Sequence, residues 1–183
     1  MRISGLHAML VAVIGVACSD DTTAPVATWI ATINVANETP APAGTTDLGG
    51  TATITISGGG TAAGSITYSL ALTGTPTSTI TAAHIHTAAA GATGPVRVNL
   101  CGASTITTDN RSSATWPTCP ASGSSIPNTQ VTWTSGSTLV WGTGLTFDQL
   151  VTALRAYGAY VNVHTTTNGG GEARGQLLPP ALP

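Results

Sequence analysis

Two histidine-bearing segments carry the residues best suited to chemistry: Ala83-His84-Ile85-His86 and Tyr160-Val161-Asn162-Val163-His164. In a β-strand, residues i and i+2 share a face, so His84 and His86 project together with Ile85 behind them. In the second segment Val161 and Val163 have the character of core residues, which places Tyr160, Asn162 and His164 on the other face. Pairing of the two strands would bring three imidazoles together, as either a metal site or a polar network. A His-x-His pair with a third histidine on a neighbouring strand gives Zn²⁺ three ligands and an open position, and imidazole also suits copper. Each ligating ring needs a partner for its other nitrogen, with Asn162, a threonine or a backbone carbonyl as candidates. In the competing reading the imidazoles hydrogen-bond one another and nearby Thr and Glu groups and stabilise the sheet.

Other chemistry is sparse. Glu172 and Arg174 stand two apart near the C-terminus. Glu172 is a weaker candidate for a fourth ligand or a base, and the alternative is a surface ion pair with Arg174 or an anchor for the preceding glycine turn. Glu38, beside Pro40, is expected to cap a turn or bond to a strand. No Gly-x-Ser-x-Gly elbow, paired-carboxylate site or phosphate-binding glycine loop is visible. No catalytic residue is assigned and the chain is expected not to be an enzyme.

The elements that must position these residues read as β. Trp29, Ala31, Ile33 and Val35 alternate with polar or solvent-side neighbours; so do Ala52, Ile54 and Ile56, then Ile66, Tyr68, Leu70 and Leu72. Val96, Val98 and Leu100 continue the pattern, with Arg97 and Asn99 expected to face out. Short strands are expected at 131–133 and 139–141 and a final one at 173–177, with the segment from Cys119 to Asn128 irregular. One helix, about 146–157, follows from Phe147, Leu150, Val151 and Leu154 at i, i+3, i+4 and i+7. Thr146 and Gln149 fit a capping box, and Gly158 is placed to end the helix with positive φ. Short Thr-rich strands, Gly/Pro turns and one helix predict an all-β antiparallel sandwich or barrel.

The chain has 183 residues, only 7% of them charged, and a net charge of −2. No electrostatic argument therefore favours nucleic acid or an anionic membrane surface. Residues 1–17 read as a signal peptide: Arg2, an apolar run from Ala8 to Val16, then Gly15-Val16-Ala17-Cys18. The run is too short to span a membrane. It resembles a bacterial lipoprotein signal with Cys18 as the lipidated residue, although Gly15 stands where Leu is usual, so conventional cleavage after Ala17 is the alternative. Residues 18–27 then form the anchor and tether. The expected location is the bacterial cell envelope, lipid-anchored on the outer-membrane or periplasmic side, or secreted. In an oxidising compartment Cys101 and Cys119 read as a disulfide, the alternative being two free thiols.

Ala36-Asn37-Glu38-Thr39-Pro40, Gly50-Thr51-Ala52-Thr53, Ala82-Ala83-His84-Ile85-His86, Gly94-Pro95-Val96, Tyr160-Val161-Asn162-Val163-His164-Thr165 and Gly171-Glu172-Ala173-Arg174-Gly175-Gln176-Leu177 occur in this order. Together they resemble the CHRD domain, first noticed in the developmental inhibitor chordin, over roughly residues 28–178, leaving 179–183 as a tail. Ala173 replaces a more usual Ile, Thr39 a more usual apolar residue or Pro, and Gly169 to Gly171 a Pro-containing turn; the Cys101–Cys119 loop is an elaboration. The resemblance implies an immunoglobulin-like fold similar to copper/zinc superoxide dismutase. Dismutase activity is not expected, because that enzyme binds copper through four histidines, one of them shared with zinc, and the chain after residue 17 holds three. The leading expectation is an extracytoplasmic binding or structural module with a protein or envelope partner, touching the membrane only through its lipid anchor. The second is a protein holding one copper or zinc ion through His84, His86 and His164.

Overall fold

A computed structural model describes residues 27–58, 64–102, 117–133, 138–139 and 145–180. Cys18, the signal segment and Trp141 lie outside these residues. The elements are β1 (Ala27–Asn34), β2 (Gly49–Gly58), β3 (Gly64–Thr73), β4 (Ile80–His86), β5 (Val96–Gly102), β6 (Ser125–Trp133), β7 (Thr138–Leu139), β8 (Leu145–Thr146), α1 (Phe147–Arg155), β9 (Tyr160–Thr165) and β10 (Ala173–Gln176). Eight strands form one antiparallel sheet in the order β5-β4-β9-β10-β1-β2-β3-β6, and β7 and β8 pair separately. The architecture is thus all-β with one short helix, as the alternation implies. It is a single sheet curled into a half-barrel rather than two stacked sheets.

The curl follows from where the apolar faces go. Trp29, Ala31 and Ile33 of β1, Ala52, Ile54 and Ile56 of β2, and Ile66, Tyr68, Leu70 and Leu72 of β3 share one buried cluster with Ala83 and Ile85 of β4 and Val161 and Val163 of β9. Burial of this surface drives the closure. The Tyr68 hydroxyl donates to the Leu100 carbonyl at 2.6 Å, tying β3 to the distant β5 through the interior. Helix α1 adds Phe147, Leu150 and Leu154 to the same core.

Three local readings are corrected. β6 begins at Ser125, inside the stretch expected to be irregular; Pro127 is accommodated because β6 is an edge strand, where a missing donor costs no ladder bond on the open side. Helix α1 keeps the expected Thr146–Gln149 capping box, but the positive-φ residue at its end is Tyr157 (φ 55°), not Gly158. Gly158 N–H reaches the Ala153 carbonyl and Tyr157 N–H the Leu154 carbonyl, the Schellman pattern. Asn99 takes the side away from Val98 as expected but is fully buried, because its place opposite His84 puts it on a face of the sheet that loops cover. Leu178 closes the domain, its N–H and carbonyl exchanging bonds with Ile30.

Cys101 and Cys119 form a disulfide with Cα atoms 4.8 Å apart. It closes an 18-residue separation onto the edge strand β5. In the chain-entropy picture a loop of this size contributes about 3 kcal/mol. A Cys101→Ala/Cys119→Ala variant is therefore expected to lose stability of that order in urea denaturation; an unchanged midpoint would show that the crosslink restrains nothing.

Candidate metal centre

The site lies on the sheet face opposite the core. β4 and β9 pair antiparallel with Ala82 opposite His164, His84 opposite Asn162 and His86 opposite Tyr160. Ile85, Val161 and Val163 point into the core, so His84, His86, Tyr160, Asn162 and His164 point together to the other side. All six residues of β9 are nonetheless buried. The polar face is roofed by the segment after β1, the loop between β4 and β5, and the turn before β10.

Arg174 holds this roof down. Its Nε donates to Glu38 Oε1 at 2.9 Å, Nη1 to the Ala92 carbonyl at 2.9 Å and Nη2 to the Thr39 carbonyl at 2.6 Å, and Nη2 also pairs with Glu38. Its guanidinium lies 4.5 Å from the centre of the Tyr160 ring, on which His86 stacks at 4.9 Å. The ion pair expected between Glu172 and Arg174 is thus a buried Glu38–Arg174 pair. Sequence reasoning gave Glu38 no such role, because its partner is 136 residues away.

Glu172 is also placed elsewhere than expected for a ligand. One carboxylate oxygen accepts from the Thr46 hydroxyl and the Thr77 N–H, both at 2.7 Å. The other accepts from the Thr165 hydroxyl at 2.6 Å, Asn168 Nδ2 at 3.0 Å and the Thr77 hydroxyl. Burial alone would raise this carboxyl's pKa, but these donors outweigh it and lower it to about 2. Glu172 therefore anchors loops, and it stands outside the ligand cluster, which consists of His84, His86 and His164.

Those three rings offer nitrogen atoms that all lie within 4.8 Å of one another. Hydrogen bonds fix their tautomers. A carbonyl can only accept, so His86 Nδ1 donates to the Gly94 carbonyl (2.8 Å) and His164 Nδ1 to the Gly169 carbonyl (3.1 Å). Both rings then present unprotonated Nε2 atoms. His84 Nδ1 lies 3.0 Å from His164 Nε2 and must be the donor between them. His86 Nε2 is buried with no partner within the protein. The Gly94 carbonyl reaches His86 because residue 94 has no side chain: a Cβ there would sit 2.1 Å from the Thr87 carbonyl oxygen. At Gly171 (φ +134°) a Cβ would meet Asn162 and Glu38, so that glycine lets both side chains into the site.

The rings are neutral at ordinary pH. Burial, reinforced by His164 and His86, lowers the His84 pKa to about 3. Burial lowers that of His86 to about 4, with the Gly94 bond opposing and His164 and Arg174 assisting. Burial likewise lowers His164, against the Gly169 bond and Glu38. A neutral imidazole with one nitrogen fixed by a carbonyl and the other carrying a free lone pair is the form that ligates metal, and His86 has that form; His164 Nε2 has its lone pair on the His84 proton. An ion 2.0–2.1 Å from three nitrogens holds them about 3.5 Å apart, within the 4.8 Å limit that bounds the separations here.

These features define an all-β domain with a three-imidazole cluster on its polar face, His86 and His164 buried and His84 half-buried. Residues 29–177 match the family model of the CHRD domain, and the chain belongs to that family. Comparison with curated proteins and with solved structures finds no match.

Two predictions follow from the charges. The folded-state His84 and His86 pKa values lie below the ordinary 6.5, so the unfolded chain binds more protons below that pH and stability falls as acid is added. The loss is expected to begin near pH 6, before carboxylates titrate, and to continue toward pH 4; a denaturation midpoint constant from pH 7 to pH 5 would contradict it. Glu38→Ala leaves the buried Arg174 uncompensated, which costs about 3–5 kcal/mol. Glu38 and Arg174 both replaced by apolar residues should lose less than Glu38→Ala alone, as read by chemical denaturation.

Proposed function

We propose that this CHRD domain is an extracytoplasmic metal-binding module that holds one copper or zinc ion through His84, His86 and His164. The observation that carries the reading is the buried Nε2 of His86, which has no partner within the protein while its Nδ1 is held by a backbone carbonyl. A ring that served only to brace the sheet would have both nitrogens hydrogen-bonded, because an unpaired buried polar atom costs about 1–3 kcal/mol. Three protein ligands leave a further coordination position open. No catalytic role is assigned to the site.

The disulfide supports an oxidising compartment. Among the described residues no helix is long and apolar enough to cross a membrane. With the lipoprotein-like segment ending at Cys18, we place the domain on the bacterial envelope, tethered by a lipid on Cys18 through residues 18–27. Its partners would then be an envelope component or protein, with no role for nucleic acid.

Titration of the chain from residue 19 onward with Zn²⁺, Cu²⁺ and Cu⁺ against a chromophoric chelator tests the reading. One equivalent should bind tightly, and His86→Ala should weaken binding by more than about 100-fold, beyond the usual effect of losing an outer-sphere partner. Absence of stoichiometric binding, or an affinity unaffected by His86→Ala, would eliminate the site.

A further inference from the structure

The pairing of β5, β4, β9 and β10 sets four polar residues in a row across the sheet. Asn99 stands opposite His84, His84 opposite Asn162, and Asn162 opposite Arg174. Directly opposed residues of an antiparallel sheet have Cβ atoms about 4.5–5.5 Å apart on one face. His84 is therefore flanked on both sides by carboxamides. Asn99 is fully buried, and neither its Oδ1 nor its Nδ2 has a partner within the protein. The other described buried side-chain atoms without a partner are Glu38 Oε2, His86 Nε2 and Asn162 Oδ1. All five atoms belong to this one roofed face of the sheet.

A buried carboxamide with both ends unpaired is costly, and replacing it with an apolar residue of similar size would relieve the cost. The metal alone does not account for Asn99, since a cation has no use for the Nδ2 donor. A ligand on the metal's open position would use both ends: it can accept from Nδ2 and, if it carries a proton, donate to Oδ1. Resting on the three-histidine reading above, we infer that Asn99 positions a small exogenous oxygen ligand on the bound metal, hydroxide or a protonated oxyanion, through its carboxamide. Asn99 is a binding residue for that guest and not a metal ligand.

The test uses the chain from residue 19 onward, loaded with one equivalent of Cu²⁺, with azide as the anionic probe. Azide binding is followed by its ligand-to-metal charge-transfer absorption and by electron paramagnetic resonance. Wild type should bind azide at the metal. Asn99→Leu should keep one copper per chain and keep or raise the melting temperature, while azide binding weakens by about tenfold or more, the usual scale for a lost hydrogen bond to a charged group. Asn99→Ala, which leaves more room for the guest, should weaken azide similarly and so separates a lost hydrogen bond from a steric block. Wild-type copper that does not respond to azide overturns the inference, as does azide affinity within about twofold of wild type in either copper-loaded variant. A wild-type chain that binds no copper or zinc overturns the three-histidine site itself, an outcome visible before azide is added.

Discussion

The register of β4 against β9 is the constraint on which the rest of this structure depends. Ala82 opposite His164, His84 opposite Asn162 and His86 opposite Tyr160 place all three imidazoles on one face and Ile85, Val161 and Val163 on the other. A one-residue slip would drive the histidines into the core and the valines onto the polar side, because side chains alternate with period two. Burial of the apolar face therefore pins the polar face. The cost is a central strand buried on both sides, one of them lined with groups that need hydrogen-bond partners. The roof meets much of that need: Arg174 and Gln176 reach roof carbonyls, and Gly94 and Gly169 offer theirs to the rings.

Charge placement explains why the cluster differs from an ordinary polar network. Glu38 is spent on Arg174, and Glu172 on threonines and Asn168. Both carboxylates are engaged elsewhere, and burial keeps His84 and His86 neutral at ordinary pH. What remains is a set of uncharged nitrogen donors with two tautomers fixed from behind. Such a set is prepared for a cation of the copper or zinc type and poorly prepared for a hard, carboxylate-seeking ion.

Much of this was legible in the sequence where the signal is local. Period-two alternation places Ile85 against His84 and His86, and Val161 and Val163 against His164, and the 3.6-residue spacing with Thr146 and Gln149 marks the helix. What escaped is what alternation cannot carry. Asn99 looks solvent-facing because alternation tells which side of the sheet a residue takes, not whether distant loops cover that side. The Glu38–Arg174 pair joins residues from opposite ends of the chain. Glu172 reads in the sequence as either a ligand or a structural anchor, and its tertiary donors make it a loop anchor. Tyr157 takes the positive φ in place of Gly158 because the helix ends one residue earlier than glycine placement implies.

The central claim is that three imidazoles form one coordination sphere. It is tested most directly by X-ray absorption and anomalous diffraction from the zinc- or copper-loaded protein. The account predicts a single ion bound by nitrogens of His84, His86 and His164, at about 2.0–2.1 Å for zinc. An ion held instead by Glu172 or by surface groups, or a fully occupied crystal soak with no anomalous peak between the three rings, would contradict it.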